Sequence, residues 1–201
     1  MAVITVSRQL GSLGTAIAES VARRLGYRVL ARDLINQAAR RAGAPEVALA
    51  MLDDLGLLGY CPSPRDCRAY RKAVGEVMQE LAAEGNVVIV GRGGQVILRD
   101  RPDVLHVRVI APVALRAQRI SERRHVSRRA ALAQVKASDT SHRDYLTQYY
   151  RVDWDAPELY DLVVNTAHMD IPAATGVVCA MLEPVLGRGD PVAKEPILES
   201  V

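Results

Sequence analysis

The chemistry this sequence offers lies mainly in glycine and arginine. The first candidate site is the loop Ser7-Arg8-Gln9-Leu10-Gly11-Ser12-Leu13-Gly14-Thr15, which follows the β-branched run at residues 3–6 and precedes an amphipathic run with Ile17, Val21 and Leu25. A glycine-bearing turn between a parallel strand and a helix start aims backbone N–H groups and the positive helix end at one spot, where an anion is favoured. Nucleotide phosphates suit that spot, and the Thr15 hydroxyl suits a magnesium ion. The pattern GxxxxGK[ST] of phosphate-binding loops adds a lysine for the outer phosphates, and this loop contains none. Arg8 is a cation within reach, although its planar fork is not equivalent to a compact ammonium group.

A second glycine-rich turn, Gly91-Arg92-Gly93-Gly94, follows the β-branched run Val87-Val88-Ile89-Val90. Ligands of open α/β sheets gather beyond the carboxyl ends of the strands, so Arg92 is a candidate ligand contact. Positive charge is also concentrated at residues 112–151, where Arg116, Arg119, Arg123, Arg124, Arg128, Arg129, Lys136, Arg143 and Arg151 face only Glu122, Asp139 and Asp144. Arg116, Arg119 and Arg123 recur three and four apart and share one helical face. Asp139 and Arg143, at i and i+4, either contact a substrate together or pair with each other. Phosphoryl transfer needs positioning and positive charge around the migrating group more than covalent chemistry, and these residues supply both. Nucleic acid is the weaker alternative partner, because this basic segment has no aromatic residue before Tyr145 to stack on bases.

The elements that must position these groups follow from periodicity. The 201 residues, 49% hydrophobic, suffice for one domain with a real core. The net charge is only +3, and the three cysteines, Cys61, Cys67 and Cys179, match neither a CxxC pair nor a zinc site and read as free thiols. No leader pattern and no apolar run of about 20 residues is present, so a cytoplasmic protein without a membrane partner is expected. Strands are predicted at residues 3–6, 87–90, 104–110 and 160–165, while 27–30 reads as an edge strand or an extended connection. Helices are predicted to end at Gly26, to start at Asp33, to run from 65 to 84, to open at Pro112, to restart after a Ser127 cap and to close the domain over 171–186. One or two short helices are expected between 42 and 64. The alternation predicts an α/β fold, a three-layer parallel sheet with helices on both faces.

The order of these elements resembles the nucleoside monophosphate kinases, and in particular the cytidylate kinase-like group of P-loop proteins. The resemblance covers nearly the whole chain. It rests on the Ser-Arg-Gln-Leu-Gly-Ser core of the first loop, on Val-Val-Ile-Val-Gly-Arg-Gly-Gly at 87–94, on residues 104–119, and on Pro-Glu-Leu-Tyr-Asp-Leu-Val-Val-Asn-Thr at 157–166. It implies a single kinase-like domain over 1–186, with an acceptor-binding helical region at about 32–72, an arginine-rich lid at about 119–130 and a flexible tail at 187–201. It further implies that Gly11, Ser12, Gly14 and Thr15 cradle the phosphates of ATP with Mg2+, and that Arg32, Asp33, Arg71, Arg92, Asp139 and Arg143 engage the acceptor nucleotide. Arg8, Arg92, Arg119 and Arg123 would then supply catalytic charge. The chain departs from cytidylate kinases at the missing loop lysine, at Ala31 where the group often shows an aspartate, and at Ser138 where an arginine is usual. Three readings stay open at this point: phosphoryl transfer to a CMP- or dCMP-like acceptor or a related small molecule, nucleotide binding without catalysis, and the weaker nucleic-acid reading. Oligomeric state is also open, with a homodimer as one option.

Overall fold

The computed structural model describes residues 2–31 and 64–187. Arg32, Asp33, the helix expected at Asp33, the short helices expected at 42–63 and nearly all of the tail lie outside the described residues.

Five strands form one parallel sheet in the order β2-β3-β1-β4-β5: β1 (Val3–Arg8), β2 (Arg28–Leu30), β3 (Val87–Val90), β4 (Val104–Ile110) and β5 (Leu162–Asn165). Central β1 pairs on one side with β3 (Val3↔Val87) and on the other with β4 (Val3↔Val104). The continuous β-branched runs are explained by burial on both faces. Ile4, Val6, Val88, Val90, Leu105 and Val107 pack with Ile17 and Val21 of α1 (Gly14–Leu25) and Val178 of α6 (Ile171–Ala180). Val3, Val87, Ile89 and Val104 point the opposite way, onto Val74 and Met78 of α2 (Pro64–Glu84). The period of two along each strand thus builds the two outer layers of a three-layer fold. Each such side chain contributes about 1.5–3 kcal/mol when fully buried.

Short helix α3 (Gly94–Ile97) follows the second glycine turn. Helices α4 (Val113–Arg124) and α5 (Arg128–Tyr150) form a hairpin held by Ala117, Ile120, Ala131 and Val135, and the small helix α7 (Leu182–Leu186) ends the described chain. The expected boundaries at Gly26, Pro112 and Ser127 are all present. Gly26 is left-handed at φ +69°, and the Ser127 hydroxyl accepts from the Ala130 N–H at 3.2 Å.

Two expectations are corrected. Strand β1 runs two residues beyond Val6, because Ser7 and Arg8 continue the ladder against Arg108 and Val109, so Arg8 ends a strand instead of sitting in the loop. The last helix breaks at Met181 into α6 and α7. The join between α4 and α5 is a three-residue turn in which the Ser121 hydroxyl donates to the Val126 carbonyl at 2.7 Å. No helix among the described residues is long and apolar enough to cross a membrane.

Candidate active site

The first loop leaves β1 at the middle of the sheet, between neighbours that lie on opposite sides in chain order, which is where open α/β sheets hold ligands. Its carbonyls are taken from behind. The Gln9 carbonyl accepts from the Ser12 N–H at 3.1 Å, and the Leu10 carbonyl accepts from the Arg116 guanidinium at 3.3 Å. The Gly11 carbonyl accepts from Arg119 at 3.3 Å, and the Ser12 carbonyl accepts from the Thr166 hydroxyl at 3.0 Å. In a planar trans peptide the carbonyl and the following N–H point in opposite directions. With the Leu10 and Ser12 carbonyls turned back, the Gly11 and Leu13 N–H groups turn forward and join the open N–H groups at the start of α1.

The two loop glycines are required by close packing as well as by any phosphate. A Cβ on Gly11, at φ +82°, would lie 2.8 Å from the Arg116 carbonyl oxygen, and one on Gly14 would lie 2.4 Å from the Arg8 Cβ. Ser12 is fully buried, and its Oγ finds no partner among the described residues. An orphaned hydroxyl within a cradle of forward N–H groups fits a phosphate oxygen. Thr15 is exposed on the first turn of α1, where its hydroxyl fits a magnesium ion that phosphates carry in, since such ions need few protein ligands. Leu13, by contrast, packs against the core below α1.

The second turn has three successive left-handed residues: Gly91 at φ +79°, Arg92 at +59° and Gly93 at +73°. Glycine tolerates this conformation, while for Arg92 it costs about 1 kcal/mol. The Arg8 side chain crosses from the end of β1 to this turn, placing its guanidinium 2.6 Å from where a Gly91 Cβ would be. Arg92 is only 9% exposed. Both arginines act on His142 of α5, whose pKa falls from the ordinary 6.5 to about 4 through burial first and then the Arg8 charge, with a smaller share from Arg92. The neutral ring donates from Nδ1 to the Ser138 carbonyl at 2.8 Å, which leaves the Nε2 lone pair as an acceptor. It stacks on Trp154 with centroids 5.0 Å apart. Trp154 donates to Ser7 Oγ at 2.9 Å, and the Arg108 guanidinium lies 4.4 Å from the Trp154 ring centroid. Beside this turn opens a cleft of about 600 Å³ lined by Arg68, Arg71, Lys72, Glu76 and Tyr150, among others.

The expected arginine face of α4 divides into three environments. Arg116 is 1% exposed and forms a bidentate pair with Asp139 at 2.7 and 3.0 Å. Arg119 spends both terminal nitrogens on Gly11 and Thr166, the latter at 2.9 Å to Oγ1 and 2.8 Å to the carbonyl. Arg123 is exposed in the last turn. The alternative of an Asp139–Arg143 pair is corrected: Asp139 is buried on Arg116, and Arg143 binds Asp155 at 2.6 Å. Arg71 reaches across to the Tyr149 carbonyl. The structure therefore brings Arg8, Arg92 and the loop N–H groups together, and it ties Arg116, Arg119 and Asp139 into the scaffold behind them. Sequence reasoning missed His142, Arg108 and Thr166 as site-building residues. The available signals were a lone tryptophan and the polar residues His106 and Arg108 inside the mostly apolar run 104–110.

A model of the cytidylate kinase-like family matches residues 3–168. The chain belongs to the cytidylate kinase-like family. It is similar to a cytidylate kinase of Ignicoccus hospitalis, 31% identical over 90% of this chain and 99% of that one. Among solved structures it resembles an uncharacterized protein from Eubacterium ventriosum, at TM-score 0.73 and 19% identity over 91% and 99% of the two chains. A gluconokinase from Sinorhizobium meliloti aligns at TM-score 0.59 and 16% identity over 94% and 98%. The fold of this cytidylate kinase-like chain is thus the three-layer α/β fold of P-loop kinases.

Proposed function

We propose that the chain transfers a phosphoryl group from ATP to a small acceptor of the nucleoside monophosphate type, with a CMP- or dCMP-like compound as the first candidate. One observation carries this reading. The Leu10 and Ser12 carbonyls are held by Arg116 and Thr166, which leaves the Gly11 and Leu13 N–H groups, with the buried Ser12 hydroxyl, for a donor's phosphates. Gly11, Ser12, Gly14 and Thr15 would hold those phosphates, with magnesium at Thr15. ATP supplies the activated phosphoryl group. Arg8, lying across the loop toward Gly91, stands in for the missing lysine, and Arg92 orients an anionic acceptor from the second turn. Arg71, at the cleft beside that turn, would face the acceptor, and the exposed Arg123 would add charge at the hairpin rim. Arg143, also on the surface, would have to leave Asp155 to join them.

The test is ADP release from ATP and magnesium in the presence of a panel of nucleoside monophosphates and small alcohols. Release stimulated by CMP or dCMP supports the reading. Stimulation by an alcohol alone would move the acceptor class, and no acceptor-dependent release would reject phosphoryl transfer.

A second reading, nucleotide binding without transfer, is favoured by Leu13, which lies beside the lysine position of the usual pattern and points into the core. Saturable nucleotide binding by calorimetry, without any product in a sensitive transfer assay, would select it.

A further inference from the structure

Thr166 lies just beyond β5 and is 2% exposed, yet its hydroxyl touches the site from behind. The Oγ1 donates to the Ser12 carbonyl at 3.0 Å and accepts from Arg119 at 2.9 Å. The Thr166 carbonyl takes the other Arg119 nitrogen at 2.8 Å, and its N–H holds the Ile110 carbonyl at 3.0 Å. One residue thus ties the loop to the ends of β4 and β5, and Arg119 extends the tie to the Gly11 carbonyl.

The geometry matters because a lone loop peptide can rotate. A Ser12 carbonyl that swung forward would present a partial negative charge to an incoming phosphate and withdraw the Leu13 N–H. A P-loop lysine answers phosphate charge from the front, whereas this lysine-free loop is fixed from the back. We infer that Thr166, acting with Arg119, is a positioning residue that sets the loop peptides for phosphate binding. This rests on the phosphoryl-transfer reading above. It also makes the α4 arginines couplers: Arg116 and Arg119 bond the Leu10 and Gly11 carbonyls, so a movement of α4 draws on the loop directly.

The test compares wild type, Thr166→Val and Thr166→Ser by calorimetric titration with ADP and magnesium, with emission from the single, buried Trp154 as a check on the native fold. Valine keeps the shape and removes the hydroxyl. Thr166→Val is expected to weaken ADP binding about tenfold while Trp154 emission stays that of a buried ring, and Thr166→Ser is expected to restore affinity to within about threefold. Equal ADP affinity in wild type and Thr166→Val overturns the inference alone. Weakened binding accompanied by exposed Trp154 emission also overturns it, since the residue is then merely structural. If Thr166→Val does not fold, Arg119→Met carries the same expectation and the same refutation. Absence of ADP binding by the wild-type chain rejects the phosphoryl-transfer reading, and the inference falls with it.

Discussion

Arg116 and Arg119 approach the first loop from behind and end on the Leu10 and Gly11 carbonyls, while Arg8 and Arg92 lie along the carboxyl edge of β1 and β3 beside a neutral histidine. The contrast shows that arginine content alone does not define a phosphate site. On α4 the guanidinium is a five-donor strut that satisfies carbonyls and a buried carboxylate. At the strand ends its charge is strong enough to help strip the proton from His142. The left-handed backbone at Arg92 sharpens the difference, because a strained conformation at a non-glycine residue is sustained by its surroundings and concentrates at working sites.

The largest expected effect tests the strut. Asp139→Ala leaves the Arg116 guanidinium buried without its carboxylate, and should cost about 3–5 kcal/mol in urea unfolding, with a fall in Tm on the order of 10 °C. The double variant Arg116→Met, Asp139→Leu should recover most of that loss. A mild effect of Asp139→Ala together with a large loss of acceptor affinity would instead return Asp139 to the substrate side and break the comparison.

The next effect concerns pH. His142 is held neutral in the fold, with its pKa lowered to about 4 from 6.5, so the unfolded chain binds more protons between those values. Stability is therefore complete above about pH 6.5 and is lost as the pH falls toward 4, by about 3 kcal/mol in all. Unfolding free energies at pH 7 and pH 5 should show the slope, and His142→Gln should flatten it. An unchanged slope in that variant would mean that burial and the two arginines do not depress the ring as described.

Arg92→Gly separates charge from backbone. Glycine relieves about 1 kcal/mol of left-handed strain but removes a nearly buried side chain, so stability should fall by about 1–2 kcal/mol. The acceptor KM should rise about tenfold. A loss of several kcal/mol with KM unchanged would make Arg92 a strut like Arg116. The smallest effect is expected for Arg143→Ala, which breaks a half-exposed pair with Asp155 and should cost less than about 1 kcal/mol with little change in turnover. A large KM effect there would show that Arg143 leaves Asp155 for the acceptor.

The parallel sheet was legible because residues 87–90 and 104–110 have the β-branched and apolar character of strands buried on both faces. The caps at Gly26 and Ser127 were legible because their chemistry is local. The fates of Arg116, Arg119 and Asp139 were not, since helical spacing places side chains on one face without saying what that face meets. Asp139 is three turns of helix α5 beyond its cap, and its partner Arg116 is 23 residues away in sequence. His142 carried no local signal, because its lowered pKa comes from burial first and then from the charges of Arg8 and Arg92, all set by distant parts of the chain.

The sequence alone determined the order of strands and helices, the two glycine-bearing turns, and the resemblance to cytidylate kinase-like proteins. These are short-range properties, set by side-chain period and by the backbone freedom of glycine. Only the tertiary structure decided which arginines are bonded into the scaffold, because that depends on the carbonyl or carboxylate within about 3 Å of a guanidinium. That neighbour is supplied by a distant part of the chain, as Thr166 of the segment after β5 is supplied to Ser12.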